Sequence, residues 1–348
     1  MTYTFILLLF SVVVLIYLED YLGSYKKAVY GVLCIILILF CGLRPIGVDP
    51  DSEAYEEVFL GKGNSANMLI EHSFQLISQF IRNFTDDIHV LFLFYAALGI
   101  GLKFYALRKL TPLYFLPMVI YLGNYYVLHD FIQIRAGVSS AMLLIAIKPL
   151  TEGNRKKAFL CFLIAAVFHY SSLAFLPILF FRNDISKLWK YILIGIAPVG
   201  VVLFLLHLDF FSAIPIPYIK DKIDIYKSLT ETGVFDELSL KSPFIWIQYC
   251  VILYSLYFFD TIHPECPSLP LLLKITAYSM ACFFAFSSIS VVAARLHELL
   301  GIVELVLFPC VFYTLRPGYY GRAAVCVIGV IEFIYTLFLW ELLDFKMA

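Results

Sequence analysis

Apolar runs separated by short polar gaps recur along the whole chain, at 3–18, 28–43, 86–107, 112–128, 131–150, 157–181, 188–207, 243–260, 270–290, 298–315 and 322–341. Each approaches or reaches the roughly 20 residues that an α-helix needs to span a bilayer. The pattern predicts an all-α, polytopic membrane protein with about 11–12 transmembrane helices. No polar stretch is long enough for a separate soluble domain, so residues 1–348 are expected to form one membrane domain.

Three segments interrupt this regularity. Residues 69–84 place Ile70, Phe74, Ile77, Phe80, Ile81 and Phe84 at helical spacing, with Glu71, Gln75, Gln79 and Arg82 opposite. This predicts an amphipathic helix lying at the membrane interface. Residues 209–242 form the longest polar gap, with Pro215 and Pro217 near its start. Loops of that length in compact proteins are usually functional or disordered; this one and 44–85 are expected to line a site. The third segment, 157–181, reads in two ways. As one helix it crosses once and buries His169. As two short arms it breaks at Phe168-His169-Tyr170-Ser171-Ser172 and returns to the side it came from.

Basic residues set the sidedness. Lys26 and Lys27, then Lys103, Arg108 and Lys109, then Lys148, Arg155, Lys156 and Lys157 fall in alternate gaps. By the positive-inside rule these gaps are cytoplasmic, which puts 44–85 outside. Counting Lys and Arg gives the same division under either reading of 157–181. The split reading is preferred because irregular backbone at membrane depth must line a cavity or be buried in protein. It also gathers every polar cluster on one face.

Composition narrows the classes further. Hydrophobic residues make up 62% of the chain and charged residues 15%, against about 25% in soluble domains. The net charge of −1 says nothing about nucleic acid, and no basic block suggests it. Eight cysteines occur without CxxC spacing, so neither a disulfide framework nor a zinc site is indicated. Without a basic n-region or an A-x-A site, residues 3–18 read as a retained span.

Charged residues in or beside apolar runs cost about 3 kcal/mol or more each, so they mark candidate chemistry. Arg44 ends a span and is followed by Gly47, Asp49, Pro50, Asp51 and Tyr55. The D-x-D pair has three readings: a divalent-cation site as in many soluble glycosyltransferases, ordinary turn chemistry, or a salt bridge to Arg44. Arg135 follows His129, Asp130 and Gln133 and precedes Ala136, Gly137, Ser139 and Ser140, small residues that let helices approach closely. Its bland reading is a snorkelling arginine at a helix end. His169 stands alone on an apolar run, where a satisfied core histidine is the commoner case. Arg295, His297 and Glu298 read either as a site or as an interface anchor. Three arginines on one face point to an anionic ligand, because the guanidinium fork matches phosphate oxygens and stays charged when partly desolvated.

These pieces resemble the membrane polysaccharide repeat-unit polymerases of bacteria, the O-antigen polymerase and EpsG-like family. The resemblance rests on Gly42-Leu43-Arg44 with Gly47, Asp49 and a following tyrosine, on Glu71 and Phe74, on Ile134-Arg135-Ala136, on Phe168-His169-Tyr170-Ser171-Ser172-Leu173, and on Arg295. Tyr55 lies four residues after Asp51 and six after Asp49, so either aspartate fits the family role. The resemblance implies an enzyme of the bacterial inner membrane with its active face outside the cytoplasm. Its substrates would be undecaprenyl-pyrophosphate-linked oligosaccharides, with a chain-length regulator as a further partner. It implies pyrophosphate recognition by Arg44, Arg135 and Arg295 beside Tyr55, and a base among His169, Asp49 and Asp51. Glu71 would orient a sugar or an arginine. No metal or other cofactor is expected, because arginine can replace the cation.

Rival readings are a lipid-glycan flippase or other transporter, a ligase with similar chemistry and a different acceptor, and a membrane O-acyltransferase. Transporters usually carry matched broken helices in two halves. Here the suspected break has no partner.

Overall fold

A computed structural model describes residues 2–62, 71–206, 240, 242–339 and 343. The expected loop 209–242 lies outside the described residues except for 240 and 242, and so does Ile70. Among the described residues the chain is helical throughout, with no strand. Helices satisfy their own backbone hydrogen bonds, which is the condition for standing in lipid.

The chain opens with α1 (Thr2–Leu18) and α2 (Lys26–Gly42), then two short helices, α3 (Ser52–Phe59) and α4 (His72–Arg82). Helix α5 (Ile88–Leu110) is followed by α6 (Leu116–Ile120), which runs on as a π-helix over Tyr121–Ile132, and by α7 (Ile134–Thr151) and α8 (Arg155–Phe168). A 3-10 arm, Tyr170–Phe180, leads to α9 (Lys187–Leu205). The C-terminal part holds α10 (Pro243–Tyr257), α11 (Leu269–Ala285), α12 (Ser290–Gly301) and α13 (Gly318–Ile334). Five helical segments are long and apolar enough to cross a bilayer: Gly23–Gly42, Ile88–Leu110, Ile134–Thr151, Lys187–Leu205 and Gly318–Leu339. Four shorter apolar helices stand with them: Thr2–Leu18, Tyr170–Phe180, Pro243–Tyr257 and Leu269–Ala285. The protein is an all-α, polytopic membrane protein.

Helix starts follow local chemistry. The side chains of Asp87, Asn154 and Ser186 accept the N–H groups of His89, Lys157 and Trp189, opening α5, α8 and α9. Helix α1 buries Phe5, Leu9, Val12 and Ile16, a stripe at helical spacing, and leaves Leu7 and Phe10 outward where lipid would lie. The centre is α5 against α7, both largely buried. Glycine lets the start of α7 fold back on the end of the π-helix: a Cβ on Gly137 would stand 2.7 Å from the His129 carbonyl oxygen and 2.8 Å from Asp130 Oδ1.

Three expectations change. The expected runs 112–128 and 298–315 are not single α-helices. The first becomes α6 and its π-helical extension to Ile132, and the second breaks after Gly301 into Glu304–Leu307 and a 3-10 stretch, Phe308–Thr314. Lys103 is not in a cytoplasmic gap. It lies in α5 with no exposed surface, and its Nζ donates to both carboxylate oxygens of Asp130 (2.8 and 2.7 Å) and to the Gly137 carbonyl (2.8 Å). An ammonium is tolerated there because a carboxylate and a carbonyl replace its water. The amphipathic helix is present as α4, but its inward face is Phe74, Ser78 and Ile81. Phe80, which the pattern put on the same face, is exposed with Leu76.

Segment 157–181 breaks at His169, whose backbone is extended (φ −153°, ψ 114°). The two arms lie side by side. Phe162 and Phe175 have ring centroids 5.5 Å apart, whereas collinear arms would separate them by about 20 Å. The chain therefore reverses at His169, and Arg155 and Arg182 share one end of the bundle. Lys274 near the start of α11 anchors that end, donating to the Arg182 carbonyl (2.7 Å) and Asp184 Oδ1 (3.1 Å).

Candidate functional site

The reversal puts His169 at the tip of a hairpin, and at that tip it meets Glu71, the residue that opens α4. His169 Nδ1 lies 2.8 Å from Glu71 Oε1, which also accepts the N–H of Tyr170 at 3.2 Å. Arg135, in the first turn of α7, donates through Nη1 to Glu71 Oε2. One carboxylate, 3% exposed, thus joins three chain segments far apart in sequence.

This carboxylate has a directional effect. An ionised Glu71 only accepts, so Nδ1 of His169 carries the proton and Nε2 presents its lone pair. No hydrogen bond engages Nε2 within the described residues. Arg135 keeps donors in hand as well: its Nε is buried with no partner. Its guanidinium stands 5.7 Å from the Tyr55 ring centre and 5.9 Å from that of Phe74.

An aromatic ladder supports the hub. Tyr55 of α3 packs on Phe74 of α4 (centroids 5.4 Å), Phe74 on Tyr95 of α5 (5.8 Å), and Tyr95 on Phe168 (6.1 Å). These rings hold two short outer helices that could not stand alone. Burial pushes the Tyr55 hydroxyl up to about 12 against the pull of Arg135, so it remains a proton donor near neutral pH.

Arg44 and Asp49 form a separate pair, in which Arg44 Nη2 is buried without a partner among the described residues. Arg44 Nε meets Asp49 Oδ2 at 2.8 Å, with neither side chain exposed. The guanidinium lies 3.9 Å from the Phe92 ring centre and donates to the Cys41 carbonyl at 3.0 Å. Of the three readings of the D-x-D pair, the structure has the salt bridge combined with turn chemistry, since Asp49 Oδ1 also accepts the Asp51 N–H at 3.1 Å.

Asp51 is turned toward the hub, where the charges of Arg295, Asp49, Arg135 and Arg44 all act on it. Burial raises its carboxyl above the usual carboxylate range, and Arg295 opposes this most strongly. Arg295 comes from α12, which packs on α7 and the 3-10 arm. Its charge also reaches His169. Unlike Arg44 and Arg135, it makes no ion pair with a described residue. Gln133 Nε2 donates to Glu298 Oε2 at 3.5 Å and ties the start of α7 to α12.

All eight residues singled out in the sequence therefore lie at one end of the bundle, in two groups. Glu71, Arg135, His169, Tyr55, Asp51 and Arg295 share the hub, and Arg44 with Asp49 braces the turn that delivers Asp51. Gln133, Glu298 and Phe168 lie in segments the sequence singles out, but nothing in one dimension pairs them, and Phe92 and Tyr95 are ordinary residues of an apolar run until the fold brings them to the hub. The arrangement can receive an anion on arginine donors beside a neutral imidazole nitrogen able to take a proton.

The family model described as "EpsG family" matches residues 27–347. No curated protein and no solved structure matches the chain.

Proposed function

Because the chain belongs to the EpsG family, whose members are polysaccharide-polymerase-like, we propose that it joins oligosaccharide repeat units carried on undecaprenyl pyrophosphate. The observation that carries this reading is the Glu71 hub, which sets an arginine fork and an oriented histidine side by side. Arg295, which makes no ion pair with a described residue and whose charge reaches His169, supports it.

In the proposed step a hydroxyl of the acceptor unit attacks the anomeric carbon of the donor chain. Its proton passes to His169 Nε2 as the new C–O bond forms. The anomeric C–O bond to pyrophosphate breaks, and its electron pair leaves with undecaprenyl pyrophosphate. Arg135 and Arg295 offset that charge. The leaving group is already good, so positioning two lipid-linked substrates is most of the work. Glu71 orients His169 and Arg135. Arg44, held by Asp49, shapes the turn carrying Asp51, and the pyrophosphate contact is assigned to Arg135 and Arg295 of the hub.

The site faces away from the cytoplasm in this reading. Lys26, Lys27, Arg108, Lys109, Lys148, Arg155, Lys156 and Lys157 belong to helix ends opposite the hub, and the reversal at His169 adds Arg182 and Lys187 to them. The positive-inside rule then puts the hub outside an inner membrane.

Arg135→Lys keeps the charge and removes the fork. In the producing strain it is expected to cut high-molecular-weight polymer about tenfold or more on a gel, leaving single repeat units on the surface lipid. Normal polymer would sink the pyrophosphate role of Arg135. Loss of single units too would point to a flippase or ligase instead.

A further inference from the structure

We propose that Lys103 and Asp130, buried between α5 and the start of α7, form a positioning clamp that sets where Arg135 points. The proposal rests on the reading of Arg135 as a pyrophosphate ligand.

The helix leading into Arg135 is broken. Between the π-helix and α7, Gln133 has non-helical backbone (φ −91°, ψ 61°). A break at this depth is a hinge unless something holds both sides. Lys103 Nζ does so: it bonds the Asp130 carboxylate before the break and the Gly137 carbonyl after it. Arg135 lies between those two fixed points. Rotating α7 about Gln133 would stretch one of the ammonium's bonds.

The clamp also reaches the other half of the site. Tyr121 OH donates to Asp130 Oδ2 at 2.6 Å, and the Asp130 carbonyl accepts the Cys41 thiol at 2.8 Å. The Cys41 carbonyl in turn accepts Arg44 Nη1, and Arg44 holds Asp49. Hence the group that fixes the start of α7 also braces the turn bearing Asp51. A well-packed apolar pair could hold α5 against α7 at least as well, because a buried ion pair brings little net stability. What apolar packing does not supply is three directional bonds from one atom across a break.

The test uses the purified full chain. Arg135→Cys is labelled with a maleimide and read by peptide mass spectrometry, with and without Lys103→Met. The clamp predicts a rate change of about fivefold or more, and an unchanged rate would overturn it whatever the ligand is. Should Lys103→Met not yield monodisperse protein, Asp130→Asn replaces it, since it keeps shape while removing the charge. The second arm is a double-mutant cycle in the binding of undecaprenyl pyrophosphate. Lys103→Met should weaken binding about tenfold beside Arg135, but less than about twofold in an Arg135→Lys background. Equal losses in both backgrounds would mean a merely structural role. If the unaltered protein does not bind undecaprenyl pyrophosphate at all, the polymerase reading fails and the labelling arm alone decides the clamp.

Discussion

Two of the polar clusters inside this apolar bundle differ in what they leave unmet. Among the described residues, the hub of Glu71, Arg135 and His169 leaves His169 Nε2 and Arg135 Nε without a partner and has beside it Arg295, which makes no ion pair. The second cluster joins α10, α12 and α13 to the π-helix and is fully buried. There Gln248 donates to Glu304, His297 Nε2 stands 2.9 Å from Gln248 Oε1, and the Tyr125 hydroxyl bonds Glu304. Among the described residues, Glu332 Oε2 is the one buried atom of this cluster without a partner. Both clusters cost desolvation energy. The contrast teaches that burial of charge alone does not mark a site. Unspent donors and acceptors near the end of the bundle do, while a closed network specifies how helices pack.

The largest expected effect tests the open cluster. His169→Gln keeps volume and a polar tip but removes the proton acceptor. Polymerisation by purified protein should fall roughly 10²–10⁴-fold with the melting temperature little changed. Retained turnover would remove His169 as the base and leave Asp51. The Arg135→Lys change described above ranks next.

A smaller effect concerns Asp51 and pH. Its carboxyl is raised by burial, so it gains a proton at higher pH than a free aspartate would. Protonation removes a negative charge that would repel an anion arriving at Arg295. Affinity for undecaprenyl pyrophosphate should therefore improve as pH falls through this transition, relative to Asp51→Asn. The two proteins should converge at acid pH, with Asp51→Asn binding more tightly near neutrality. An affinity ratio that does not move with pH would remove Asp51 from the ligand's surroundings.

The smallest effect on activity belongs to the closed cluster. Glu304→Gln keeps an acceptor for Gln248 and should change turnover less than about twofold. Glu304→Ala strips Gln248 and Tyr125 of their partner and should lower stability by about 1–3 kcal/mol in thermal unfolding. If Glu304→Gln instead silenced the enzyme while leaving its melting temperature intact, the division into an open and a closed cluster would collapse.

How much of this was legible in one dimension differs by element. Apolar run length alone placed most helices, because lipid forces the backbone to satisfy itself and leaves no other element available. Charges in apolar runs likewise announced Arg44, Arg135, His169 and Arg295, since such residues are too costly to keep without a reason. Lys103 was misassigned for an instructive cause. A lysine near a helix end and a lysine buried against a partner 27 positions away look identical in sequence. The face of α4 was misjudged because both of its sides are apolar at the interface, and packing against α5 chose between them.

The sequence by itself determined that this is a helical membrane protein of a polymerase-like family with its unusual charges near one end. The tertiary structure alone decided that the chain turns back at His169 and that one carboxylate joins Arg135 to that histidine. Local pattern reports the solvent each segment needs. Which charge meets which is set by contacts between residues 64 to 98 positions apart, and those exist only once the helices have packed.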